Sequence, residues 1–154
     1  AYLALGSNLG DRLAYLQGAV DGLARADGIT MVGVSRVYET APLGGPDQGA
    51  YLNAVVAVDT ELAPRALLAF VQTLESDARR VRSERFGPRT LDVDILLYDE
   101  LELDTPELTI PHPRMWERAF VLVPLHDLAP ERARAMVASE DVREAPVTLT
   151  LPST

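Results

Sequence analysis

Cysteine is absent from this chain of 154 residues, and so is lysine: all 14 of its basic residues are arginine. Without thiols there is no disulfide framework, no thiolate metal site and no cysteine nucleophile, a composition that suits a reducing compartment. Without lysine there is no P-loop, whose motif lysine reaches the phosphates, no kinase strand lysine and no Schiff base. Histidine is scarce, two residues in all, and no serine sits in a nucleophile elbow, so hydrolytic triads have little support. No stretch approaches the roughly 20 apolar residues of a membrane-spanning helix, so no membrane association is expected. The chain does not open with a basic segment followed by an apolar run, so no signal peptide is expected and the cytoplasm is the expected compartment. Ala1 leads straight into a strand-like run with no initiator Met, so at least one preceding residue is expected. Excess positive charge is lacking too: the formal net charge is −9. Nonspecific nucleic acid binding needs a basic surface, so no nucleic acid partner is expected, and a polyanionic ligand would have to be met locally.

What is present is enough for one domain, since a chain of this size buries roughly two thirds of its unfolded surface. Tyr2 to Leu5 reads as a buried strand, and Gly6 to Gly10 as a turn supplying a helix N-cap. Leu9, Leu13, Leu16, Val20 and Leu23 then recur at helical spacing, and Gly28 ends that helix. Ile29 to Glu39 is β-branched and turn-free, which predicts one long strand, and Pro42 to Gly49 a loop. In Tyr51 to Thr60, Leu52, Ala54, Val56 and Val58 share one face and Tyr51 and Asn53 the other. Pro64 opens a second helix with the stripe Leu67, Val71, Leu74, Ala78, beside which Gln72, Glu75 and Arg79 fall together. An arginine-rich loop from Arg80 to Thr90 precedes a strand from Val93 to Tyr98. Beyond it come an acidic connection, the Pro111-His112-Pro113 turn, the apolar stretch Phe120 to Leu125 and a short strand at Val147 to Leu151. The order β, α, β, β, α, β predicts an α+β sandwich, an antiparallel or mixed sheet with two helices on one face.

The strongest chemical signal is Asp92-Val93-Asp94 at the start of a strand. Residues i and i+2 project from the same face, so both carboxylates converge, and a hard divalent cation is the natural relief of their repulsion. Two solvated aspartates at a strand end would be the ordinary alternative. Just before them, however, Arg79, Arg80, Arg82, Arg85 and Arg89 face a single acid, Glu84. That is a local +4 inside a chain of −9, leaving −13 for the rest. A solvated helix end complementing the macrodipole accounts for Arg79 and Arg85. Five arginines leading into two carboxylates are what a polyphosphate requires: guanidinium forks for some oxygens, metal ions for others. His112, held between two prolines in a rigid turn, is either an ordinary turn residue or a neutral donor to a phosphate oxygen. Tyr51, Asn53, Phe86 and Phe120 are core or rim residues, or else rings and an amide that hold a flat, hydrogen-bonding heterocycle.

In order and spacing, Gly6-Ser7-Asn8, Thr40 with Pro42-Leu43, Tyr51-Leu52-Asn53-Ala54, Gly87 to Ile95 (GPRTLDVDI) and Pro111-His112 resemble the 6-hydroxymethyl-7,8-dihydropterin pyrophosphokinases of folate biosynthesis. The resemblance runs from about Ala1 to Pro130. It implies a ferredoxin-like α/β sandwich with a mixed, mainly antiparallel sheet, residues 1–154 forming a single pyrophosphokinase domain. It also implies that ATP gives its terminal diphosphate to the pterin hydroxymethyl group, releasing AMP. By the same resemblance, Asp92 and Asp94 hold two Mg²⁺ ions with ATP, and Arg80, Arg82 and Arg89 act on the transferring phosphates. Gln72, Glu75, Arg82, Phe86, Arg89, Ile95, Thr109, His112 and Arg118 meet ATP. Thr40, Leu43, Tyr51, Asn53, Phe86, Asp92 and Phe120 meet the pterin, with Tyr51 and Phe120 stacking on its faces. The chain departs from the usual pattern at Phe86, often Trp, at Pro113, often Tyr, and at Glu107, often Arg. A monomer is expected, with Pro42 to Gly49 and Arg82 to Thr90 mobile when empty and closing over ATP. A noncatalytic anion sensor and a metal-dependent phosphohydrolase are the rival readings of the same arginines and aspartates.

Overall fold

The computed structural model describes residues 1–40, 50–80, 91–133 and 142–152. Its centre is β4 (Tyr51–Thr60), ten residues rich in valine and alanine and buried almost throughout. Such a run suits a strand covered on both faces. It pairs with β1 (Tyr2–Ser7) on one side, and β1 pairs in turn with β5 (Asp92–Leu97). Along its other side lie β2 (Ile29–Val34) and β3 (Tyr38–Thr40), and β8 (Val142–Glu144) continues the sheet from β3. Every pairing among the described strands is antiparallel. A separate ribbon joins β6 (Leu103–Asp104) to β7 (Thr109–Ile110).

The long strand expected from Ile29 to Glu39 is divided in two. The Ser35 amide still donates to Val55 O at 2.8 Å, but the amide of Val55 donates back to Ser35 Oγ, also at 2.8 Å. A side-chain oxygen has replaced the ladder carbonyl, so the strand kinks while the amides of Ser35 and Val55 both stay satisfied. The helix N-cap is likewise one residue beyond the expected turn: Asp11 caps α1 (Arg12–Arg25) by accepting from the amide of Ala14.

Both faces of the sheet are covered. α1 and α2 (Pro64–Arg80) bury Leu16, Val20, Leu23, Leu67 and Val71 against Leu3, Leu5, Val56, Val93 and Ile95. The stripe of α2 is the one expected, as is that of α1 from Leu13 onward, but Leu9 precedes the Asp11 N-cap and lies outside the helix. The other face carries α3 (Ala119–Leu128), which the strand and helix periodicities did not predict. Its Val121, Leu122 and Leu125 pack with Val55, Leu96, Leu97 and Met115 into a second core. Because α3 is apolar nearly all round, it shows little helical period, and Pro124 within it argues further against a helix. Leu97, which unbroken strand alternation would put on the same side as Val93 and Ile95, belongs to this second core, because a register shift between Tyr2 and Leu3 turns the strand end over.

The strand expected at Val147 to Leu151 is also replaced. Val147 and Leu149 do pack inward, but their segment is held by the side-chain amide of Gln17. That amide donates to Thr150 O at 2.8 Å and accepts from Thr150 N at 2.9 Å, so one side chain does the work of a neighbouring strand. The edge strand is instead the polar Val142–Glu144.

α3 is tied to the sheet through Asp127, whose carboxylate accepts from Tyr38 Oη at 2.8 Å and from the Arg36 amide at 3.2 Å. Burial, reinforced by the hydrogen bond to Asp127 and by its charge, pushes the Tyr38 phenol up to about 12. A raised phenol pKa means that the fold favours the neutral form, a contribution complete below the unfolded value near 10 and lost as pH climbs through the folded one. Tyr38→Phe is therefore expected to cost about 1–3 kcal/mol near pH 8. The gap to the parent protein should shrink between about pH 10 and 12, read from urea midpoints, and a gap independent of pH there would contradict the assignment.

Candidate active site

Asp92 and Asp94 open β5, where the strand alternation sends Val93 and Ile95 into the helix-side core and both aspartates to the other face. Register then builds rows across three strands. Gly6 of β1 lies between Asn53 of β4 and Asp92 of β5, and Ala4 lies between Val55 and Asp94. Val55 of the second row is buried under α3, and the other members of both rows reach a cavity of about 550 Å³. Thr40, Tyr51, Asn53, Asp92, Asp94, Arg118 and Phe120 all line it. Seven candidates scattered over some eighty positions thus meet in one concave site whose floor is Ala4 and Gly6.

The polar groups have defined settings. Asn53 Nδ2 donates to Thr40 Oγ1 at 2.8 Å in a fully buried contact, which holds the amide plane with Oδ1 over Gly6. Phe120, in the first turn of α3, lies under the Arg118 guanidinium at 5.6 Å from ring centroid, a cation–π contact that orders both at the rim. Glu75 lies on the other side of the sheet, where its Oε2 accepts from the Val93 amide at 2.9 Å and so braces the strand between the two aspartates.

His112 follows a cis Ile110–Pro111 bond, and its amide donates to Leu96 O at 3.0 Å, which seats the turn beside β5. Its Nδ1 accepts from the Arg114 amide at 3.2 Å, leaving Nε2 to carry the proton. Burial lowers its pKa, opposed by the charge of Asp94 and aided by those of Arg118 and Arg114. The ring is therefore neutral at pH 7 and has one N–H to donate.

Other candidates stand apart from the cavity. Gln72 is exposed on α2, Ile95 is 3% exposed with its side chain in the core, and Thr109 sits on β7. Arg80 ends α2, but its side chain lies outside the described residues, as do Leu43, Arg82, Phe86 and Arg89 and the two segments expected to close over ATP. Glu117, which lines the cavity beside Arg118, and Arg12 carry no motif or spacing that marks them in the sequence. Arg12 Nη1 reaches Ala50 O at 2.7 Å and Glu39 Oε2 at 3.1 Å, tying α1 to the ends of both β3 and β4. Only their partners, remote in sequence, give such residues a role.

Among the described residues no three acidic or histidine side chains form a metal cluster. Two carboxylates on one face, with further ligands left to a substrate, are the donor set that Mg²⁺ favours, since it binds one or two carboxylates together with phosphate oxygens. Among the described residues no helix is long and apolar enough to cross a membrane.

Comparison with known proteins agrees with this chemistry. The family model for 7,8-dihydro-6-hydroxymethylpterin-pyrophosphokinase matches residues 2–130. A 2-amino-4-hydroxy-6-hydroxymethyldihydropteridine pyrophosphokinase of Methylorubrum extorquens is 48% identical over 145 residues, covering 94% of this chain and 90% of the relative. The Bacillus subtilis protein of the same name is 44% identical, covering 94% and 86%. Among solved structures, a Plasmodium falciparum HPPK-DHPS triple mutant with pteroate aligns at a TM-score of 0.66 and 16% identity. That alignment covers 85% of this chain and 40% of the other, a likeness of fold.

Proposed function

The chain belongs to the 7,8-dihydro-6-hydroxymethylpterin-pyrophosphokinase family and transfers a pyrophosphoryl group to 6-hydroxymethyl-dihydropterin in folate synthesis; from that premise we propose how one face of β1, β4 and β5 divides its two substrates. The pterin lies at the Asn53–Gly6 end of the cavity, and the ATP triphosphate passes over Asp92 and Asp94. The observation that carries this division is the row Asn53, Gly6, Asp92, which sets an amide for a heterocycle edge beside carboxylates for a metal-bound phosphate.

Tyr51 and Phe120 offer ring faces from β4 and α3, and Asn53, oriented by Thr40, reads the ring edge by hydrogen bonding. Asp92 and Asp94 would hold two Mg²⁺ ions, which when bound neutralise phosphate charge and acidify the attacking hydroxyl. The hydroxymethyl oxygen attacks the β-phosphorus as its bond to the AMP oxygen breaks, and holding the reactants in line accounts for most of the catalysis. Arg80, Arg82 and Arg89 spread the charge of the moving phosphates, assisted by Arg118 and by the Nε2–H of neutral His112. Gln72, Glu75, the backbone of Ile95 and Thr109 would flank the nucleotide along the outer edge of β5, and Leu43 and Phe86 would meet the pterin. That residues 1–154 act as one pyrophosphokinase domain, as a monomer and in the cytoplasm, belongs to the same proposal.

Incubation with ATP, Mg²⁺ and 6-hydroxymethyl-7,8-dihydropterin is expected to release AMP only when the pterin is present. Phosphate or diphosphate release without pterin would mean a hydrolase, and no turnover at all would mean an anion sensor.

A further inference from the structure

Gly6 has no conformational reason to be glycine. Among the described residues the glycines with positive φ are Gly10 and Gly28, and Gly6 lies within a regularly paired strand. A glycine there weakens a strand through lost entropy and missing packing, so the relevant question is what the absent side chain makes room for. A Cβ at this position would stand 3.2 Å from Asn53 Oδ1, tighter than ordinary contact, but 3.7 Å from Tyr51 Cδ1 and 3.9 Å from Leu52 O, both ordinary. The single group that must yield is the amide of Asn53.

We propose that Gly6 is a positioning residue for the pterin: its missing side chain lets the Asn53 amide lie flat over β1, between Thr40 on one side and the cavity on the other. The 2.8 Å bond from Nδ2 to Thr40 Oγ1 limits how far that amide can retreat. A methyl group at position 6 would therefore either stretch this bond or swing Oδ1 away from the ring edge it reads. The strand itself would gain from alanine. A specificity loss without a stability loss is the signature of this role.

This inference rests on the pterin assignment above. Calorimetric titration of the parent protein and Gly6→Ala with 6-hydroxymethylpterin, in the presence of Mg²⁺ and a nonhydrolysable ATP analogue, tests it. The pterin Kd is expected to rise about tenfold or more, with the Kd of the ATP analogue alone within about twofold and the melting temperature not lowered. In an Asn53→Ala background the same change should have little further effect on pterin binding, because the group through which it acts is gone. An unchanged pterin Kd in Gly6→Ala would overturn the role of Gly6. Equal weakening of both ligands with a lowered melting temperature would also overturn it, as would a full effect persisting in the Asn53→Ala background. A parent protein that does not bind the pterin at all would overturn the functional assignment itself, and the role of Gly6 with it.

Discussion

Asp92→Ala and Asp94→Ala are each expected to lower kcat by about a thousandfold or more, with pterin binding far less affected for Asp94→Ala than for Asp92→Ala. The size of the loss follows from what the carboxylates face. Both stand on the cavity side of β5, and no third acidic or histidine ligand joins them among the described residues. Removing one therefore halves the protein's share of the metal site, and the triphosphate loses the charge neutralisation that a diphosphate transfer needs. The asymmetry follows from register: Asp92 shares a row with Gly6 and Asn53, whereas Asp94 shares one with Ala4 and Val55. Rapid-quench measurement of the chemical step at saturating Mg²⁺ checks the first claim, and pterin titration the second. Near-normal turnover in either variant would remove the aspartates from the mechanism.

Asn53→Asp is expected to reduce kcat/KM for the pterin by about a hundredfold or more while leaving the Kd of Mg·ATP within severalfold. The substitution hardly changes shape but has two electrostatic consequences. It replaces the Nδ2 donor with an acceptor, so the buried Thr40 hydroxyl, which had accepted, must turn to donate to the new carboxylate. It also sets a third carboxylate on the face of the sheet already bearing Asp92, two strands away across Gly6 and hence about 10 Å off. A site that hydrogen-bonds its substrate discriminates steeply because the unpaired alternative is so costly. Steady-state kinetics with each substrate varied in turn separates the effects. Equal losses for pterin and nucleotide would show that Asn53 supports the whole site rather than reading one ligand.

Where the sequence was legible, local periodicity and three-dimensional placement coincide. The stripes of α1 and α2 and the two-sided alternation of Tyr51 to Val58 could be read because each element meets a core on one side and something different on the other. The Asp92–Asp94 pair could be read because strand geometry alone puts i and i+2 together. Legibility failed where one side chain does the work of backbone. Ser35 breaks a strand by lending its hydroxyl to the ladder, and Gln17 holds the segment around Thr150 with its amide. Neither role leaves a periodic trace. α3 escaped for the opposite reason, being too uniformly apolar to show which side faces in. At the site, Arg12 and the spatial demand on Gly6 depend on partners far off in the chain, while Tyr51, Asn53, Asp92, Asp94 and Phe120 stayed open to a binding reading and a structural one until the fold set them around one cavity.

The charge pattern also acquires a physical sense. A net charge of −9 does not repel ATP from such a site, because distant acids are screened over about 8 Å at physiological salt. On the proposed assignment, what the nucleotide would meet is local: Arg118 at the cavity rim, a neutral His112 beside Asp94, and carboxylates that a cation would convert from repulsive to attractive.

On the proposed assignment, this face joins both terminal phosphates of ATP to the pterin in one step. Phosphorus NMR of an equimolar mixture of ATP and 6-hydroxymethyl-7,8-dihydropterin, run to completion with enzyme and Mg²⁺, tests it most directly. AMP and a pterin bearing two mutually coupled phosphorus signals should appear in equal amounts. ADP with a singly phosphorylated pterin, or AMP with free diphosphate, would contradict it.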